Sequence, residues 1–181
     1  MRRRQFIALA GGMAVWPLAA RAQQSRRMRR VGALMPFAAN DPQAQERNAA
    51  LLQGLQQLGW TENDNLQVEY RWSGGDAERL RRYAAELVAL APDVILATGA
   101  TVGVLLEDTK AIPIVFAIVA DPVGRGFVES LARPGTNATG FLTFEYSMGG
   151  KWLELLREIA PDVKRIGVLR DSRASAASGA T

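Results

Sequence analysis

The sequence predicts an α/β protein built on a doubly wound parallel sheet, and three observations carry that expectation. Short apolar runs recur along the chain, amphipathic helical segments separate them, and turn residues stand at the junctions. Val31 to Phe37, Val94 to Ala97 and Pro113 to Val119 are near-continuous in apolar character, as strands covered on both faces are.

The elements follow in order. The first strand, Val31 to Phe37, ends in a polar turn, and Asp41-Pro42 supplies an N-cap followed by proline at the first helical position. The helix that follows is expected to reach Leu58. Leu51, Leu55 and Leu58, with Leu52 beside them, make the stripe of a helix lying on a sheet, and Gly59 stops it. Gly54 inside it costs roughly 1 kcal/mol against alanine, which predicts close helix–strand approach there. Asn65 to Trp72 alternates, with Leu66, Val68, Tyr70 and Trp72 on one face, as an edge strand does. Ser73-Gly74-Gly75 turns the chain. Asp76 caps a second helix whose buried face is Leu80, Tyr83, Ala84, Leu87 and Val88, ending before Pro92. Asp93 to Gly99 is the third strand, central in the sheet, and a short third helix runs from about Thr101 to Lys110.

The stretch from Pro113 to Phe141 organises the rest. Its strand, Pro113 to Val119, breaks at Ala120-Asp121-Pro122; a short amphipathic helix is expected from Gly126 to Ala132, with Phe127, Val128 and Leu131 on one side. Arg133-Pro134-Gly135 stops it, Asn137 reads as a turn residue despite its match to a glycosylation sequon, and a fifth strand starts near Ala138. After the loop Glu145 to Met148 comes a helix, Gly149 to Ile159, with Trp152, Leu153, Leu156 and Ile159 on one face. Pro161 ends it, Arg165 to Asp171 is a sixth strand, and the remainder is small and polar.

The N-terminus is a different kind of sequence. Arg2, Arg3 and Arg4 precede an apolar stretch, Phe6 to Leu18, too short to span a membrane, and Ala20-Arg21-Ala22 fits a small-x-small cleavage pattern before Gln23. Residues 1–22 therefore read as an export signal, twin-arginine-like with a general secretory signal as the alternative, and they direct the chain out of the cytoplasm to the periplasm. Without them the basic excess disappears: of 22 basic residues, four arginines lie in that segment and the 18 acidic residues do not. Residues 23–30 form a basic leader, with Arg26, Arg27, Arg29 and Arg30 read as solvated, so a nucleic-acid partner is not expected.

The chain holds no cysteine and no histidine. Disulfides and zinc-thiolate sites are therefore excluded, and the commonest general base and metal ligand are missing. Neither G-x-G-x-x-G nor G-x-x-x-x-G-K-[ST] occurs, which argues against a dinucleotide or phosphoryl-transfer site. No cofactor is expected.

Ligands of open α/β sheets meet the carboxyl ends of the strands. Thr98-Gly99-Ala100-Thr101 precedes a helix, so its backbone N–H groups and the Thr101 hydroxyl suit a carboxylate, or Thr101 merely caps the helix. Asp121 suits an amino group, or an Asx-turn that orders the bend at Pro122. Phe37 and Tyr146, at the ends of the first and fifth strands, suit stacking on an aromatic group, or core packing.

Pro113-Ile-Val-Phe116, Asp121-Pro122-Val123 and Leu131-Ala-Arg-Pro-Gly135-x-Asn137-x-Thr139-Gly140 together resemble the substrate-binding proteins of a bacterial ABC import family. That family is associated with tryptophan, tyrosine and phenylalanine uptake and has a type I periplasmic-binding-protein fold. The resemblance implies an N-terminal lobe over residues 31–147 and, over 148–181, a crossover helix and the first strand of an incomplete second lobe. It favours ligand contacts for Thr98, Gly99, Ala100 and Thr101, while Phe37, Asp121 and Tyr146 stand beside them as candidate ligand-binding residues with their structural alternatives open. It also implies a monomeric binder of a small, amino acid-like solute that serves a permease in the inner membrane and catalyses nothing. The competing expectation is an exported α/β enzyme using carboxylates such as Asp121 and Glu145.

Overall fold

A computed structural model describes residues 28–145 and 147–167 of the chain. The expected export signal, Arg26, Arg27, Tyr146 and residues 168–181 lie outside the described residues. Five strands, β1 (Arg29–Met35), β2 (Leu66–Trp72), β3 (Val94–Thr98), β4 (Ile114–Ala120) and β5 (Ala138–Phe144), form one parallel sheet in the order β2-β1-β3-β4-β5. Four helices accompany them: α1 (Pro42–Gln57), α2 (Ala77–Ala89), α3 (Thr101–Asp108) and α4 (Met148–Ile159). The doubly wound parallel α/β fold is thus present. β2 lies at an edge, β3 lies inside, and the strand order reverses between β1 and β3.

Local chemistry sets two helix starts. Asp41 Oδ1 accepts the Ala44 N–H at 2.9 Å ahead of Pro42, and Asp76 Oδ1 accepts the Arg79 N–H at 2.7 Å. Each carboxylate satisfies a first-turn donor that the helix itself leaves open. The Asp76 carboxyl is held below its ordinary range, chiefly by that backbone N–H.

The strand register sorts side chains onto two faces. Leu34, Ala97 and Phe116 are aligned across β1, β3 and β4, with Ile95 beside Ile114, and all five side chains are buried. α2 and α3 pack on this face through Ala84, Leu87, Val102 and Leu105, each fully buried. The fit is close: a Cβ on Gly32 would lie 3.3 Å from both Ile95 and Leu87. The opposite face carries Met35, Leu96, Thr98 and Ala117, and α1 is the helix that lines it.

The structure corrects several expectations. β1 begins at Arg29, and the two arginines are anchored: Arg29 Nη1 lies 2.7 Å from Asp93 Oδ1, and the Arg30 N–H donates to Asp93 Oδ2 at 2.9 Å. The Arg30 guanidinium also donates to the Leu90 carbonyl at 3.1 Å. These bonds tie the start of β1 to the turn before β3, so Arg29 and Arg30 belong to the sheet rather than to a solvated leader.

No helix forms over Gly126–Ala132. The N–H groups of Phe127 and Val128 bond the Pro122 carbonyl, Glu129 bonds Pro134 and Ser130 bonds Arg133, closing successive turns. Gly126, at a φ of 70°, takes the left-handed conformation that ends any helix there. Val128 and Phe127 still pack on the core, whereas Leu131 is exposed.

Gly54 is not a point of close approach, since a Cβ there would meet nothing within 4 Å. The Leu51–Leu55–Leu58 stripe is only partly covered, and Leu58, at the end of α1, is exposed. Arg165 to Gly167 are not in a strand, and the rest of the expected sixth strand lies outside the described residues. Asn137 acts as the turn residue expected of it, its Nδ2 donating to the Thr109 and Ile112 carbonyls at 3.2 and 2.7 Å just before β5.

Candidate functional site

The site is built from the carboxyl ends of β1, β3 and β4. Beyond β1, the carbonyls of Met35, Pro36 and Phe37 accept the N–H groups of Ser73, Gly75 and Gly74, so the loops after β1 and β2 are laced together. The Ser73 hydroxyl, buried, adds a bond to the Met35 carbonyl at 3.3 Å. Phe37 is thereby fixed where the chain leaves the sheet.

At the end of β3, Thr101 closes a turn on Thr98. Its hydroxyl donates to the Thr98 carbonyl at 3.1 Å and accepts the Thr98 N–H at 3.0 Å, and the residue is fully buried. Ala100 is the residue at the N-cap of α3, with no side-chain cap hydrogen bond, and Gly99 has a φ of 59°. The first-turn N–H groups of α3 thus lack the side-chain acceptor that Asp41 and Asp76 give to α1 and α2. The positive end of α3 faces the strand-end loops without that acceptor.

β4 is irregular at the same level. Its pairing with β5 shifts register between Phe116 and Val119 and again before Ala120, and Ile118 takes a φ of 56°. A β-branched residue there is strained, and bulges of this kind re-aim side chains next to functional sites. Gly140 on β5 permits the irregularity, because a Cβ at that position would lie 1.9 Å from the Phe116 carbonyl oxygen. Asp121 follows at a φ of 44°; its Oδ1 accepts the Gly124 N–H at 2.9 Å and its carbonyl accepts the Arg125 N–H at 3.1 Å, so its carboxylate caps the turn from three residues before rather than the two of an Asx-turn.

Between α1 and the sheet a cavity of about 160 Å³ opens, lined by Met35, Phe37, Ala44, Arg47, Asn48, Leu51, Leu96, Thr98, Ala117 and Ile118. A cavity near 150 Å³ accommodates a benzene ring. Its lining is mostly apolar. Thr98 Oγ1 is buried without a hydrogen-bond partner among the described residues, and the Arg47 guanidinium carbon lies 5.5 Å from the centroid of the Phe37 ring. Nearby on the same face, Tyr70 stacks on Trp72 with centroids 6.0 Å apart, and burial pushes the Tyr70 phenol above its ordinary pKa.

Phe37 and Thr98 therefore share one cavity, and Thr98, Gly99, Ala100 and Thr101 form one turn. Asp121 does not line that cavity, and Tyr146 lies outside the described residues. Glu145 accepts the Ser147 hydroxyl at 3.2 Å. Arg47, Asn48 and Ile118 have no functional reading from sequence, and Leu51 reads there only as part of the stripe that packs α1 on the sheet. The available signal on α1 was Arg47-Asn48 at helical spacing from Ala44 and Leu51, a polar break in an apolar stripe. Nothing local signals the turn of Ile118 toward that space. Among the described residues, no group of three or more acidic side chains could hold a metal ion, and no helix is long and apolar enough to cross a membrane.

An apolar cavity between α1 and the sheet that reaches Phe37 and Thr98 at the strand ends, with a helix start nearby in sequence that has no side-chain cap, is the layout in which open α/β sheets hold ligands. The chain belongs to the ABC transporter substrate binding protein family, whose pattern it matches over residues 37–180. It is 30% identical over 129 residues to a tyrosine-binding protein of Clostridioides difficile (strain R20291), covering 71% of this chain and 37% of that one. Among solved structures it resembles a conserved domain protein of Vibrio cholerae O1 biovar eltor, with a TM-score of 0.68 and 33% identity, over 84% of this chain and 51% of that one. It also resembles an ABC domain in complex with L-Trp from Streptococcus pneumonia, with a TM-score of 0.63 and 25% identity, over 76% of this chain and 45% of that one. The ligand-free, open structure of a substrate binding protein with adhesive properties from Clostridium difficile is similar at a TM-score of 0.62 and 26% identity. The chain thus spans between 37% and 51% of the length of these relatives.

Proposed function

We propose that this protein is the solute-binding component of an ABC importer and that its solute is an aromatic amino acid or a close analogue. The observation that carries the reading is the meeting, at the strand ends, of an apolar ring-sized cavity containing Phe37 and Thr98 with the start of α3, which has no side-chain cap. The α-carboxylate is received by the N–H groups at Gly99 to Thr101, where the helix dipole favours negative charge; the Thr98 N–H is already taken by the Thr101 hydroxyl. Asp121, already oriented by Gly124, pairs with the ammonium through its carboxylate. The apolar side chain of the solute reaches toward Phe37. The binding of tyrosine by one relative and of L-Trp by another supports this choice of solute.

In this reading the chain is exported to the periplasm, performs no chemistry, and hands its solute to a permease in the inner membrane. The start of a second lobe follows β5, as the expected domain division places it. Calorimetric titration with L-tyrosine, L-tryptophan and L-phenylalanine tests the reading. Binding is expected, and Asp121→Ala should weaken it by about 1.5 to 3 kcal/mol, the range for a hydrogen bond to a charged group. Affinity unchanged by that substitution would reduce Asp121 to a turn residue. Turnover of any of these amino acids would favour the enzyme reading instead.

A further inference from the structure

We propose that Asn48 and Thr98 read a hydroxyl on the ring of the solute, so that the cavity beneath α1 prefers a phenol to a bare ring. The inference rests on the reading of that cavity as the place of the solute's ring. It starts from a break in the packing face of α1. Ala44, Asn48 and Leu51 follow one another at helical spacing on the side of α1 that lines the cavity, and a helix face laid on a sheet is ordinarily apolar. Asn48 puts an amide there instead, beside the Tyr70 hydroxyl. From the sheet, Leu96 and Thr98 of β3 line the same cavity, and Thr98 is 7% exposed.

The protein leaves both polar groups unsatisfied. Asn48 Oδ1 and Thr98 Oγ1 are buried without a hydrogen-bond partner among the described residues. Arg47, next to Asn48, has its guanidinium over the Phe37 ring, and the Thr101 hydroxyl is spent on the Thr98 N–H and carbonyl. Because both oxygens are already closed off from bulk solvent, chain laid over the outside of the lobe does not reach them; a partner has to enter the cavity. An unpaired buried oxygen weakens a fold, and two on one cavity mark a place that a ligand completes. The chemistry of the pair is specific. Asn48 Oδ1 only accepts, whereas the Thr98 hydroxyl also donates. One ligand hydroxyl matches both, giving its proton to Asn48 and taking the proton of Thr98. A carboxylate has no proton for Asn48, and an ammonium would carry its charge into a cavity that no acidic residue lines. The rest of the lining is mostly apolar and the volume of about 160 Å³ suits one ring, so a hydroxylated single ring fills the space and satisfies both oxygens.

Calorimetric titration of the 181-residue chain with p-cresol and toluene, and with L-tyrosine and L-phenylalanine, tests this. The hydroxylated member of each pair should bind at least about tenfold tighter, since a site that hydrogen-bonds a hydroxyl disfavours the analogue that leaves its polar groups unpaired. Asn48→Leu and Thr98→Val, both of similar shape to the native residues, should bring the members of each pair together. Thr98→Val should also raise the thermal midpoint of the ligand-free protein, because it removes an unpaired buried hydroxyl. A lowered midpoint would assign that hydroxyl a structural role and overturn the proposal. Absence of p-cresol binding overturns it too, as do equal affinities for p-cresol and toluene or a preference that survives both substitutions. A preference for p-cresol without any binding of L-tyrosine would uphold the hydroxyl site and count against the amino-acid reading alone.

Discussion

The two faces of the sheet differ in kind. On the face covered by α2 and α3, Leu34, Leu87, Ile95, Val102, Leu105 and Ile114 are fully buried, and even a Cβ on Gly32 would crowd its neighbours. On the face covered by α1, a ring-sized cavity remains, and a threonine hydroxyl is buried without a partner among the described residues. The contrast teaches where this fold keeps its stability and where it keeps its adaptability. The first face excludes anything that is not already there, and the second has room and unfilled polar capacity at the strand ends, where ligands bind.

The largest expected effect follows directly. Leu87→Ala, which empties the packed face, should lower unfolding free energy by about 2 to 5 kcal/mol in urea titrations. Leu51→Ala, on a half-covered residue beside an existing cavity, should lower it by only about 1 kcal/mol. Equal losses would erase the distinction between the faces. Next comes the cap of α1: Asp41→Ala removes the acceptor for the Ala44 N–H and should reduce stability by about 1 kcal/mol in the same titration.

The smallest effect is one of pH. Asp76 has its folded-state pKa lowered from an ordinary value of 3.8, first by the Arg79 N–H and with a further lowering from the Arg79 and Arg82 charges. A group so depressed contributes stability that is fully present above its unfolded pKa and is lost as pH falls through the folded one. The stability difference between the wild type and Asp76→Ala should therefore be greatest near neutrality and shrink in acid. A difference that is constant from neutrality into acid would show that the cap acts through shape rather than charge.

What sequence reading captured of this molecule is what local chemistry decides. Asp41-Pro42 and Asp76 are caps whose partners lie three residues away, and both helices begin where those residues predict. β1, β3 and β4 read correctly because continuous aliphatic runs fit inner strands of a sheet, whereas the expected sixth strand is absent at Arg165 to Gly167. The segment from Gly126 to Ala132 misled, because its apolar spacing suits a helix while its backbone hydrogen bonds run to prolines on either side. Arg29 and Arg30 looked like a solvated charge run, since Asp93, their partner, is more than sixty residues away. The candidate site divides in the same way. Phe37 and Thr98 were visible as strand-end residues, but their shared cavity depends on Arg47, Asn48 and Ile118, which only the packing of α1 on a bulged β4 brings to them.

Amide hydrogen exchange with and without saturating L-tyrosine tests the account most directly, because it reads both faces at once. The account predicts slow exchange in β1, β3, α2 and α3 in either condition, with added protection on ligand binding confined to the segments around Phe37, Thr98 to Leu105 and Asp121 to Gly126. Protection that appears instead at the opposite ends of the strands, or nowhere, would contradict it.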